Sequence, residues 1–232
     1  MLLIAAFFDK KFLSYCVGVK FIYSNGRHNG VDEMKSTEFV ARLAEVMGAS
    51  HTEIATVDRT LAKQGLRRIA RGRARPDVTL REGVQIVCGW AGAKNLTDAA
   101  AEVIRLQGYQ PQQIPPDEYE TTTAKSRTFA SLFDTEESDL YGLDFIEVAL
   151  WLARQLGSDK FPAHEVWLSI EKGGAPELSC KSSFVNEELV FHEFPVKVDL
   201  FSQTRPPRPN VKLEAWVRGS VLKWIFDVTE AA

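Results

Sequence analysis

The sequence predicts a mixed fold, with a mainly helical N-terminal domain followed by an α+β C-terminal domain. Between residues 34 and 108, apolar side chains recur at the helical spacing of three and four residues. After residue 160 they alternate with polar side chains, as in half-buried strands. Charge also divides the chain, since residues 34–110 hold twelve basic and eight acidic side chains, whereas residues 111–232 hold twelve basic and twenty acidic. We therefore expect two modules with different partners.

The N-terminal domain is expected to contain five helices, because each apolar stripe lies between a start signal and a stop signal. Ser36 is expected to cap the first helix, and capping boxes at Ser50 and Thr79, each with Glu three residues later, open two others. Gly48 is expected to end the first helix, and Gly65 suits the left-handed position that follows a helix. The helices are predicted at residues 36–47, in a short stretch from 51, at 57–64, from 80 onward and at 96–106.

The segment between the third and fourth of these helices is strongly basic. Eight cations lie between residues 59 and 81 against one acid, Asp77, and five of them are arginines within residues 67–75. Gly72 and Pro76 favour a loop or short hairpin there. Guanidinium groups match phosphate geometry, and neutralising a row of phosphates gives affinity for nucleic acid. The residues expected to contact DNA are Arg59, Lys63, Gln64, Arg67, Arg68, Arg71, Arg73 and Arg75, and the alternative is a solvated loop.

Residues 34–108 resemble the small winged helix-turn-helix regulators found in prophage and mobile-element regions of bacteria. The resemblance rests on the helix pair of residues 50–66, the arginine-rich wing of residues 67–75 and the Thr79 capping box, and covers about a third of the chain. It implies a winged helix-turn-helix domain whose third helix lies in the major groove of duplex DNA, while the wing contacts phosphates or the minor groove. It also implies transcriptional regulation. Asp58, at the start of that third helix, is interpreted as an acid favoured by the helix dipole.

The remainder of the chain is divided as follows. Residues 1–33 have no sustained period and are expected to be an extension or a mis-assigned start, with Met34 as the true beginning. Residues 109–138, rich in Pro, polar and acidic residues, are expected to be a linker. Residues 139–232 are expected to form an α+β domain for sensing or homodimerisation, because many helix-turn-helix proteins bind two half-sites as dimers. Its predicted elements are a helix at 140–156, strands at 166–171, around 178, at 196–200 and at 211–217, and a helix at 221–228.

Composition excludes several other classes of protein. Three cysteines fit a reducing, cytoplasmic compartment, and no apolar run reaches the roughly 20 residues of a membrane span. Because no known catalytic, phosphate-binding or zinc motif is present, we expect no enzyme activity, cofactor or metal. Cys88 and Cys180 are expected to be buried structural thiols, and the tryptophans at 151, 167, 216 and 224 to build the C-terminal core. Two alternatives stay open: a phage-type interaction protein with a protein or RNA partner, and an enzyme whose site is assembled from scattered residues.

Overall fold

The computed structural model describes residues 34–68, 78–111, 130–159, 161–181, 186–193 and 214–230. Helices and an antiparallel sheet combine in this part of the chain, which confirms the mixed α+β class. The helices are α1 (Ser36–Met47), α2 (His51–Lys63), α3 (Leu80–Gly92), α4 (Ala99–Leu106), α5 (Phe145–Gly157) and α6 (Gly219–Thr229). The strands are β1 (Tyr109–Pro111), β2 (Val166–Glu171), β3 (Pro176–Lys181), β4 (Asn186–Glu193) and β5 (Glu214–Arg218). The predictions for residues 1–33, for a strand at 196–200 and for Arg71, Arg73 and Arg75 lie outside the described residues.

The predicted helix boundaries in the N-terminal part are confirmed where they depend on local signals. Both capping boxes form: the Ser50 hydroxyl accepts from the Glu53 backbone nitrogen at 3.2 Å, and Thr79 is bound reciprocally to Glu82. Gly48 follows α1 with φ +65°, a left-handed conformation that a side chain would strain. Chain direction therefore changes where the sequence signals placed the turns.

Two N-terminal predictions are wrong. The second and third predicted helices are a single helix, α2, because Ile54, Val57 and Leu61 continue one buried face across the expected break. Between residue 34 and the basic segment, the structure thus has only two helices. Ser36 does not cap α1 but lies in its first turn, after Lys35, and its hydroxyl accepts a hydrogen bond from Arg67.

The sheet is antiparallel throughout, in the order β1-β4-β3-β2-β5. Leu168 of β2 lies opposite Leu178 of β3 on one side and Val217 of β5 on the other, and these three side chains form part of the buried face. The strands predicted at 166–171 and around 178 are confirmed, and the one predicted at 211–217 is described from residue 214. Strands β1 and β4 were not predicted, and β1 lies within the expected linker. Strand β1 has three residues, which is too short to show a period.

Helix α3 packs against elements from both ends of the chain. It is buried on nearly every side, although it carries Arg81, Glu82 and Gln85. A Cβ atom at Gly83 would lie 2.5 Å from the Ile225 side chain of α6, and one at Gly89 would lie 3.2 Å from the Ala99 carbonyl oxygen of α4. Residues 34–108 and 139–232, predicted as two domains, therefore share one core, and the described part of the chain forms one compact unit.

The predicted burial of tryptophan and cysteine side chains is confirmed in part. Trp151 and Trp224 pack against the core as expected, and Cys88 and Cys180 are fully buried. Trp216 was expected in the core but is 46% exposed. Among the described helices, none is long and apolar enough to cross a membrane.

Candidate nucleic-acid interface

The turn between α1 and α2 joins the two helices that precede the basic segment. The backbone N–H groups of Gly48 and Ala49 donate to the last carbonyls of α1, at Glu45 and Ala44, over 3.1 and 3.0 Å. Ser50 then caps α2, so only three residues separate the helices. A short turn containing Gly is typical of the helix-turn-helix motif. From the sequence, the helix pair of such a motif was predicted one helix later, at residues 50–66.

The exposed face of α2 carries two cations that pair with no acid in the described structure. Thr52, Thr56, Arg59 and Lys63 follow one another at spacings of four, three and four residues, so they share one side of the helix. The Arg59 guanidinium donates to the Ala55 carbonyl oxygen at 3.2 Å and to the Thr56 hydroxyl at 3.3 Å. These bonds hold it along the helix surface, where it remains exposed to solvent.

Both acids of α2 are directed away from this face. The Glu53 carboxylate accepts the Ser50 backbone N–H at 3.3 Å and the indole N–H of Trp90 at 3.4 Å. The Asp58 carboxylate lies 2.8 Å from the Arg67 guanidinium. Because each acid has a partner elsewhere in the protein, the face of α2 with Arg59 and Lys63 is positive.

Arg67, predicted to contact DNA, is turned into the protein. Its side chain is 7% exposed, and besides facing Asp58 it donates to the Ser36 hydroxyl at 2.6 Å. The Arg67 Nε and Asp58 Oδ1 atoms are within ion-pair distance but outside hydrogen-bond geometry. Burial and the nearby Glu82 charge raise the pKa of Asp58, although the charges of Arg67 and Arg59 act in the opposite direction.

A single carboxylate, that of Glu82, holds both ends of the basic segment. Its Oε1 atom accepts the Arg68 backbone N–H at 2.8 Å, and its Oε2 atom accepts the Thr79 backbone N–H at 2.8 Å. The Arg68 guanidinium and the Thr79 hydroxyl add further hydrogen bonds. Burial alone would raise the pKa of Glu82, but these hydrogen bonds outweigh it and hold the pKa below its ordinary value. Glu82 thus remains charged and holds Arg68 and Thr79 close together.

The structure separates the predicted DNA-contacting residues into three groups. Arg59, Lys63 and Gln64 are exposed at the C-terminal half of α2. Arg67 is buried, and Arg68 is half exposed but bound by Glu82. Arg71, Arg73 and Arg75 lie outside the described residues, so their positions relative to α2 stay predictions.

The acidic partners of Arg67 and Arg68 were not predicted from the sequence. Asp58 was interpreted as a charge at a helix N-terminus, which is wrong because α2 begins at His51 and places Asp58 in its second half. No local pattern relates Asp58 to Arg67. The capping box predicted the hydrogen bonds between Glu82 and Thr79, but no pattern in the sequence predicted those between Glu82 and Arg68.

Groups with other chemistry are sparse in the described part of the chain. No cluster of three His, Cys, Asp or Glu side chains lies close enough to hold a metal ion there. Burial strongly raises the pKa of the Cys88 thiol, with the charges of Glu102 and Asp144 adding to the effect, so this thiol is uncharged. Comparison of the chain with protein-family models, curated proteins and solved structures gave no match.

Proposed function

We propose that the protein binds duplex DNA through the exposed face of α2 and the basic segment that follows it, and that it regulates transcription in the cytoplasm. The observation that supports this most directly is that Glu53 and Asp58 are bound to Trp90 and Arg67, so that no described acid pairs with Arg59 or Lys63 on the exposed face of α2. A helix with such a face can approach phosphates without like-charge repulsion.

The α1–turn–α2 pair supplies the helix-turn-helix part of this proposal. In that motif the second helix enters the major groove and its exposed side chains contact base edges. Arg59 and Gln64 have side chains that can make bidentate bonds to guanine and adenine, respectively. Lys63 suits a phosphate, because its ammonium is a compact charge on a flexible stem.

The basic segment supplies the wing. Glu82 fixes the segment at Arg68 and Thr79, and an anchored loop loses less conformational entropy on binding than a free one. Arg71, Arg73 and Arg75 are then the residues proposed to contact phosphates or the minor groove. Arg67 is left out of the interface, since removing it from Asp58 would strand a buried carboxylate.

A homodimer formed through residues 139–232 completes the proposal. Duplex operators with two half-sites are bound by two-fold dimers. The acidic C-terminal segment repels DNA and is free to serve the dimer contact.

Titration of a labelled random-sequence duplex with the full chain, over a series of salt concentrations, tests DNA binding. The variant Arg59→Ala/Lys63→Ala should bind more weakly, and the slope of log affinity against log salt should flatten by about 0.9 for each phosphate that the variant no longer neutralises. The control variant Arg154→Ala/Lys172→Ala removes the same charge from α5 and the β2–β3 turn. Equal effects of the two double variants would show that only net charge matters, and absence of binding by the wild-type chain would refute the proposal.

A further inference from the structure

Strand β5 forms an edge of the sheet and carries an exposed tryptophan. One side of β5 pairs with β2, and among the described strands none pairs with its other side. Trp216, at the centre of the strand, and Ile104 of α4 are the only large apolar side chains in the described residues that are classed as exposed. An unpaired strand edge presents N–H and C=O groups to any strand that can align with it.

The side chains of β5 are arranged symmetrically about Trp216. Because successive residues of a strand point to opposite faces, Glu214, Trp216 and Arg218 share the outer face, while Val217 on the other face is buried. The outer face therefore reads acid, aromatic, base along the strand. A two-fold axis through Trp216 would set Glu214 of each copy opposite Arg218 of the other, with the two Trp216 side chains adjacent.

From this symmetry we infer that β5 is the homodimer interface and pairs antiparallel with β5 of a second copy, in a register centred on Trp216. The two sheets then form one continuous antiparallel sheet, in which the backbone N–H and C=O groups at the β5 edge of each copy bind those of the other. An isologous contact of this kind requires a self-complementary patch, and β5 is one. The inference rests on the homodimer part of the proposed function and is independent of DNA binding.

Local contacts already hold the two charged side chains on the outer face. The Ser169 hydroxyl donates to the Glu214 carboxylate, and the Arg218 guanidinium lies 4.9 Å from the centre of the Trp167 ring. A carboxylate accepts several hydrogen bonds, and a guanidinium stacked on a ring still presents N–H donors at its edge. An internal contact of either group therefore does not prevent it from also binding a second copy.

Charges on an edge strand can also serve to prevent pairing, so the arrangement of the charges decides between the two roles. An edge protected against self-association carries charges that meet like charges when two copies approach. In the antiparallel register centred on Trp216, Glu214 and Arg218 of the two copies would bring opposite charges together at both ends. The pattern therefore favours this one pairing and disfavours registers shifted by two residues, which separate the two charge pairs.

Charge reversal on β5 gives a specific test by sedimentation velocity of the full chain over roughly 1 to 100 µM. Glu214→Arg places two arginines at the ends of each strand, and Arg218→Glu places two glutamates there. Each variant alone should raise the dimer dissociation constant about tenfold or more, because both cross-strand pairs become like-charged. An equimolar mixture of the two variants should form a heterodimer, since each arginine then meets a glutamate of the other chain.

A neutral variant keeps the test decisive if a charge reversal unfolds the protein. Trp216→Thr retains a strand-forming residue but removes the central aromatic pair, and it should also raise the dissociation constant about tenfold. A monomeric wild-type chain would refute both the homodimer and this interface. A dimer that Trp216→Thr and the charge reversals leave unchanged would refute the β5 interface alone, and DNA titrations of the same samples report separately on DNA binding.

Discussion

Replacing Glu82 with Gln tests whether one carboxylate anchors the basic segment. The change keeps the size of the side chain, but it removes the charge and turns one accepting oxygen into an NH2 donor. One of the two backbone N–H groups, that of Arg68 or that of Thr79, then faces a donor. Hydrogen bonds to a charged acceptor contribute about 1.5 to 3 kcal/mol each, and the Arg68 guanidinium adds little because it is half exposed. We expect the free energy of unfolding to fall by about 2 kcal/mol.

The matched control is Glu53→Gln, which alters the same position of the other capping box. Glu53 is bound to Ser50 and Trp90 near the surface, so its replacement should cost at most about 1 kcal/mol. Urea unfolding measures the free energy of unfolding of both variants. In thermal unfolding, the change at Glu82 should lower the Tm by roughly 4 to 8 °C for a chain of this size. Equal unfolding free energies for wild type and Glu82→Gln would refute the anchoring role.

The pH dependence of stability provides a second readout for Glu82. Its pKa in the folded protein lies below the ordinary 4.5, so the folded state favours the charged form. The corresponding stabilisation is complete above about pH 5 and is lost as pH falls from the ordinary value through the lower folded value. The difference in unfolding free energy between wild type and Glu82→Gln should therefore shrink as pH is lowered through this range. A difference that stays constant from pH 7 to pH 3 would show that the charge has no part in it.

Two further substitutions test the buried contacts. Arg67→Ala should lower the free energy of unfolding by about 3 kcal/mol, because it leaves the Asp58 carboxylate buried without its counter-charge; a variant with wild-type stability and weaker DNA binding would instead place Arg67 in the interface. Gly83→Ala should cost about 1 to 3 kcal/mol, since the new Cβ would lie 2.5 Å from Ile225. Addition of Ile225→Ala should relieve that overlap, and additive losses of stability in the double variant would contradict the packing of α3 against α6.

The sequence predicted those helix ends and strands that depend on residues close together along the chain. The capping boxes at Ser50 and Thr79 and the helix ends at Gly48 and Gly65 involve residues at most five apart, so one sequence suffices to find them. The alternation of β2 was equally clear, because buried and outward side chains of a half-buried strand differ in polarity.

Contacts between distant parts of the chain could not be predicted in this way. Strand β1 is recognisable only through its pairing with β4, some eighty residues later. The apolar surface of α3 was assigned to a separate N-terminal domain because periodicity shows that a face is apolar but not what covers it. The same limit applies to Arg67, whose burial depends on Asp58 and Ser36.

The ion pairs of the structure change the salt dependence that we expect for the affinity of the protein for DNA. Five of the eight cations between residues 59 and 81 are described by the structure, and three of these pair with acids: Arg67 with Asp58, Arg68 with Glu82, and Arg81 with Glu147. The other two, Arg59 and Lys63, together with the proposed contacts Arg71, Arg73 and Arg75, make five candidate DNA contacts. If each of these neutralises one phosphate, the slope of log affinity against log salt is about −4.5, whereas eight neutralised phosphates would give about −7.2. A slope near the larger value would mean that DNA breaks the internal pairs, so the wild-type salt series distinguishes a preformed interface from one that rearranges on binding.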